Sequence, residues 1–216
     1  TGYDRLLNIG GIGWESYEAL VPVTIHSYSA EGFAPEQRAP AVGVVLHWQG
    51  HTDNPKACGQ PKCGWLYPGM ANWYEWEWSP FTGTAGFHMW IHHNNLLADP
   101  GGFEQSPGKT YLWKVQVNNA EGNYGTYRLW VWPQDQPQPA DPVVEMQRAG
   151  NLNSLQEGSL LLLAHHVDVT FGDVKLRELY GDFDGPVSSG FAANAEDNEA
   201  VLHWQTDEPT IARIEY

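Results

Sequence analysis

The chain is poor in positive charge. Among its 216 residues, Lys and Arg together number 11 against 26 Asp and Glu, a formal net charge of -15. Phosphate binding needs concentrated positive charge, so nucleic acid is excluded as a natural partner. An anionic membrane surface is disfavoured for the same reason. Long apolar runs are also lacking. LLLLA at 160–164 is far below the ~20 residues that span a bilayer, which excludes membrane insertion by a helix. No Asn-x-Ser/Thr sequon occurs, and no leader is recognisable, which points to a mature or trimmed chain. Cysteine is scarce, with two residues, Cys58 and Cys63, in CGQPKC. Gly and Pro between them suit a tight loop closed by a disulfide, and hence an oxidising compartment. The alternative is half a zinc site, for which no second thiol pair exists.

Aromatic residues, glycine and proline are plentiful: 11 Trp, 10 Tyr and 7 Phe beside 23 Gly and 15 Pro. Rings bury large areas, so a sizeable core is feasible. Gly and Pro recur along the whole length, as in many-stranded β proteins, and no long amphipathic helix is legible. The length suits one large all-β domain, or one domain with a fragment of another.

Alternation and turn residues predict strands over 19–28, 41–49, 72–78, 86–93, 109–119 and 124–132. DPVVEMQ adds a short segment, and 158–179 reads as two strands with a bulge or bend at Gly172. PQDQPQPADP reads as an exposed connection. In YRLWVW, Tyr127, Leu129 and Val131 fall on one side, with Arg128, Trp130 and Trp132 on the other. In a sandwich the aliphatic side faces the core, as do Tyr111, Trp113, Val115 and Val117 of the preceding strand. The outer set is then Lys114, Gln116, Arg128, Trp130 and Trp132. Indoles beside long polar side chains suit sugar rings: the C–H face stacks on the aromatic and the hydroxyls take hydrogen bonds.

Three stretches carry a family resemblance: GVVLHWQGH (43–51), KTYLWKVQVNNAEGNYGTYRLWVW (109–132) and GSLLLLAHHVDVTFGDVKLREL (158–179). In their order they resemble a LamG-like jelly roll of the concanavalin A-like lectin/glucanase superfamily. The resemblance covers about four-fifths of the chain. It implies a jelly-roll β-sandwich of two antiparallel sheets, one concave and commonly glycan-binding. It also implies structural calcium near Asp173 in FGDV, with Asp4 as a partner. The chain departs from that pattern in lacking the E-x-D-x-x-E strand of family 16 glucanases. It also lacks the Arg, Gln-x-His and Tyr-rich motifs of family 7 alginate lyases.

Other side chains carry chemistry. Imidazoles of His47, His92 and His166 are expected on one face, where they line the concave surface, bind a metal or act as a base. Glu75 and Glu77 lie two apart on a strand, ~6.5–7 Å at Cα. That separation is compatible with either glycosidase geometry, though a solvated strand face looks the same.

After Leu179 the composition turns Gly-, Asp- and Ser-rich. The boundaries expected are 1–180 for the jelly roll, 181–198 for a linker and 199–216 for the opening strands of a second module. VLHWQTDEPTIARIEY resembles the start of a fibronectin type III-like domain of the kind found at the N-terminus of purple acid phosphatases.

The function expected is a non-catalytic, lectin-like module of a secreted, extracellular or cell-surface protein. It binds polysaccharide through Trp48, Trp130 and Trp132, with Arg128, Gln116, Lys114 and His47 orienting the sugar and adjacent domains as neighbours. The rivals are a polysaccharide-degrading enzyme using Glu75/Glu77 or the histidines, and an adhesive module packed on a neighbouring domain or subunit.

Overall fold

The computed structural model describes residues 5–28, 40–50, 70–75, 86–91, 95–98, 104–121, 125–147, 156–179, 188–196 and 199–206. They form strands, with no helix among them. In chain order the strands are β1 (Arg5–Ile9), β2 (Tyr17–Tyr28), β3 (Ala41–Trp48), β4 (Met70–Glu75), β5 (Gly86–Ile91), β6 (Asn95–Ala98) and β7 (Thr110–Asn118). There follow β8 (Thr126–Pro133), β9 (Val144–Gln147), β10 (Ser159–His165), β11 (Val167–Phe171), β12 (Lys175–Glu178), β13 (Ser188–Glu196) and β14 (Glu199–Thr206). The chain divides into two units, residues 1–179 and residues 180–216.

The first unit is a jelly-roll β-sandwich. One sheet has the order β1-β10-β3-β4-β5-β6, and the other β11-β2-β7-β8-β9, with β12 also pairing β2. Every pairing is antiparallel. Strict alternation places one side of β2, β7 and β8 in the core: Val21, Trp113 and Leu129 are among its buried members. Val42, Val44, Leu160 and Leu162 meet them from the six-stranded sheet. The inward set predicted for the β7–β8 hairpin is the one found. The stretch 158–179 holds three strands rather than two, with Gly172 at the break between β11 and β12.

Two local features interrupt the regular sheets. Pro22 lies in the middle of β2, where a missing N–H ordinarily costs a ladder bond. Its carbonyl accepts the Gly172 N–H at 2.9 Å, so the nitrogen points to the same side, into the gap where β11 ends and β12 has not begun. A Cβ on Gly172 would stand 2.9 Å from Pro22 Cβ, which is why the gap takes glycine. The second feature is a bulge in β3. Trp48 pairs with Ser159 and Val45 with Leu161, so Leu46 and His47 together oppose Leu160. His47 takes φ 53°, and alternation resets after it.

In the second unit, β13 pairs with β14 from Ser188 opposite Thr206 to Glu196 opposite Glu199, with an irregularity between Ser189 and Ala192. Residues 188–196, expected within a linker, are therefore a strand.

Candidate functional site

The outer face of the five-stranded sheet is polar, and it is ordered in rungs. The first rung crosses five strands in register: Arg177 (β12), Glu18 (β2), Gln116 (β7), Arg128 (β8) and Glu145 (β9). Arg128 donates from Nη1 to Gln116 Oε1 at 2.9 Å and from Nε to Glu145 Oε2 at 2.7 Å, while Nη2 donates to Glu121. Glu18 accepts from Gln116 at 3.2 Å and holds Lys114 at 2.9 Å and Arg177 at 3.5 Å. The hydrogen bond that Arg128 donates to Glu121 holds its guanidinium above even its ordinary value; burial opposes this and Glu145 adds to it.

Above this lie three further rungs: Lys175–Leu20–Lys114–Trp130, then Pro22–Leu112–Trp132, then Thr170–Thr24–Thr110. Between them runs an open groove of about 440 Å³. Half-buried Leu20, Pro22, Leu112, Thr24 and Thr110 make its floor. Exposed Gln134, Thr170, Asp173 and Lys175 stand around it. Thr24 and Thr110 share a hydrogen bond of 2.7 Å, and Thr170 bonds His26 Nε2 at 2.8 Å. An apolar floor ringed by hydroxyl, amide and single charged groups is the composition of a small polar-ligand cleft.

Trp130 and Trp132 point to this outer face, as parity requires, but they are 8% and 6% exposed. Trp130 meets the connection from β8 to β9, its indole N–H directed at Ala140 O at a long 3.5 Å. Lys114 Nζ lies 4.9 Å from the Trp130 ring centroid. A stacking platform must be open, and these indoles are closed. Arg128, Gln116 and Lys114 occupy the expected face, committed to one another and to Glu18, Glu121 and Glu145.

The remaining residues expected to share a trough do not meet. His47 is fully buried, turned inward by the β3 bulge. Its Nε2–H donates to Glu15 O at 2.7 Å, so in the neutral ring Nδ1 accepts the Tyr127 hydroxyl at 3.1 Å. Its backbone N–H donates to the Tyr17 hydroxyl at 2.9 Å, which donates onward to Ser159 O at 3.0 Å. Burial raises the Tyr17 pKa far above the ordinary tyrosine range. His47 is thus a core residue and reaches no ligand surface.

Trp48 is half-buried on the outer face of the other sheet. There it packs on Ala41, Val45, Leu161 and Leu163, each 0% exposed. His166 follows β10 at its far end, beyond His165, while Ser159, the residue paired with Trp48, opens the strand, so the two sites lie ~20 Å apart along it. It stacks edge-on to His165 with centroids 4.7 Å apart and does not join His47.

Glu75 stands opposite Ala41 and Gly86 in register. Glu77, His92, Asp4, Cys58 and Cys63 lie outside the described residues. Asp173 lines the groove with Lys175. Calcium takes six to eight oxygens, and a neighbouring ammonium opposes it. No group of three or more acidic, His or Cys residues placed to hold a metal occurs among the described residues.

Sequence reading missed Leu20, Pro22, Thr24, Thr170, Gln134 and Lys175. The alternation of β2 contained the signal for three of them: once Val21 and Val23 are inward, Leu20, Pro22 and Thr24 must face out.

No family model and no curated protein matches the chain. Solved structures do match in fold. The VIP36 exoplasmic/lumenal domain in its Ca2+-bound form is 10% identical over 83% of this chain and 75% of its own, with a TM-score of 0.55. A tetrameric galectin from the ball sponge Cinachyrella is 8% identical over 80% of this chain and 98% of its own, with a TM-score of 0.44. The alginate lyase Aly36B, a double mutant in complex with alginate trisaccharide, is 14% identical over 82% and 75%, with a TM-score of 0.41. The jelly-roll sandwich of the first unit is a fold shared with the VIP36 domain.

Proposed function

We propose that residues 1–179 form a non-catalytic, lectin-like module that binds polysaccharide in the groove on the outer face of the five-stranded sheet. One observation carries the reading. The two outer faces differ: around β10 and β3 the six-stranded sheet is apolar and closed, whereas the five-stranded sheet presents an open groove with an apolar floor and a polar rim. Leu20, Pro22 and Leu112 offer a surface for the C–H face of a pyranose. Gln134, Thr170, Asp173 and Lys175 supply donors and acceptors for its hydroxyls. Arg128, Gln116 and Lys114 hold the floor strands in register from beside the groove. Trp130 and Trp132 support its wall. Asp173 acts as a hydroxyl acceptor. It is the one carboxylate among the described lining residues, whereas glycoside hydrolysis uses two, which favours binding over cleavage here.

The setting proposed is a secreted or cell-surface protein of several modules. The CGQPKC loop suits an oxidising compartment. The resemblance of residues 199–216 to a fibronectin III-like opening makes that segment the start of a neighbouring module, and the LamG-like motifs make the first unit a relative of that branch of the fold.

The test is a pull-down on a polysaccharide panel with the wild type and an Asp173→Ala/Gln134→Ala variant. Both side chains are exposed, so the variant folds. Loss of about tenfold or more in affinity is expected. Undiminished binding by the variant would remove the groove as the site.

A further inference from the structure

We infer that the groove selects an uncharged saccharide over a uronate or sulfated one, and that Glu18 enforces the choice. The inference rests on the groove being the saccharide site. A polyanion needs several free cations along its path. Among the described residues this face and the turn at its end carry five cations: Lys109 in the turn, and Lys114, Arg128, Lys175 and Arg177 on the face. Four are paired with carboxylates of the protein. Glu18 holds Lys114 at 2.9 Å and Arg177 at 3.5 Å. Glu121 and Glu145 hold Arg128, and Asp135 lies 3.6 Å from Lys109.

The fifth, Lys175, lines the groove together with Asp173, so the charged lining sums to zero. The chain as a whole carries -15, and its field repels a polyanion approaching from solvent. What the groove presents is three threonine hydroxyls, an amide, one carboxylate and one ammonium above an apolar floor. Sugar hydroxyls can use every one of these groups. A carboxylate on the ligand would gain Lys175 and meet Asp173.

Glu18 is the residue on which this turns. Its carboxylate is the shared counter-ion of two cations on neighbouring strands, Lys114 on β7 and Arg177 on β12, next to the groove residues Leu20 and Lys175. Removing that one charge leaves Lys114 and Arg177 without their carboxylate, and none of these three residues lines the groove.

The experiment measures binding of neutral polysaccharides (β-glucan, galactomannan, xylan) and of polyuronates (polygalacturonate, alginate) at low and high ionic strength. It compares wild type with Glu18→Gln, an isosteric change that keeps a partner for the Gln116 amide. Wild type is expected to bind at least one neutral polymer with little salt dependence and to leave the polyuronates unbound. Glu18→Gln is expected to acquire polyuronate binding that high salt abolishes, with its neutral binding retained. Wild-type binding of a polyuronate more tightly than any neutral polymer, lost in Lys175→Ala, would overturn the selectivity and leave the groove as the site. Binding of neither class by wild type would overturn the saccharide-binding reading itself, and this inference with it.

Discussion

Gly158 lies against the backbone of His47: a Cβ on Gly158 would stand 2.5 Å from His47 Cα. Gly158 also takes φ 152° and donates its N–H to Trp14 O at 2.8 Å. The bulge that turns His47 inward therefore needs a residue without a side chain across from it. Gly158→Ala is expected to destabilise the domain by more than ~1 kcal/mol, since both conformation and space are refused. Urea midpoints measure it, and a change within ~0.5 kcal/mol would show that the bulge yields.

Tyr17 links stability to alkaline pH. Burial raises its pKa, so the folded state keeps a proton that the unfolded chain loses near pH ~10. This contribution is whole below about pH 10 and falls as pH rises above it, by up to ~1.4 kcal/mol per pH unit. Tyr17→Phe is expected to lose ~1–3 kcal/mol at neutral pH, because the His47 N–H and Ser159 carbonyl lose their partner. The variant should then show a shallower alkaline decline than wild type. Parallel pH profiles for the two proteins would contradict this.

Trp132→Ala and Trp130→Ala are expected to act on stability. Truncating a buried indole costs ~3–5 kcal/mol in a closed core, and the position of both rings on the outer face, outside the core between the sheets, places them near the lower end of that range. Thermal unfolding reads the effect. A variant with unchanged stability and weakened saccharide binding would instead make these rings an open platform.

Arg128→Ala is expected to cost more than ~1 kcal/mol, because charge-assisted bonds to Gln116, Glu121 and Glu145 go together. The partial exposure of Glu145 and Glu121 keeps the figure modest. Arg128→Lys is expected to recover little, since an ammonium cannot serve three separated acceptors as a planar fork does. A double-mutant cycle with Glu121→Gln should give a coupling energy of at least ~0.5 kcal/mol.

Parity was legible in the sequence. Tyr127, Leu129 and Val131 alternate with Arg128, Trp130 and Trp132, and β-structure admits one reading of that pattern. Exposure was not legible. Whether an outward ring meets water depends on where the chain goes next, and no periodicity reports the path of the β8–β9 connection. The fate of His47 was hidden for another reason. A bulge adds one residue and shifts every later side chain to the other face, so Trp48 and His47 exchanged the sides that alternation assigns them. β1 escaped notice because RLLNI does not alternate. β13 did so because Gly, Ala and Asn in SSGFAANAE read as a linker. The groove needed three strands in register before it existed. Thr24, Thr110 and Thr170 lie far apart in the chain, and the pairing of β2 with β7 and β11 brings them side by side.

The proline at position 22 has a consequence beyond its own strand. Because its nitrogen offers nothing to the neighbour, that margin of the sheet is divided between β11, of five residues, and β12, of four. A foreign chain seeking to dock along this border finds two stubs separated by a break at Gly172, and no long template to extend. The interruption that shapes the groove also makes this edge of the sheet a poor template for edge-to-edge pairing.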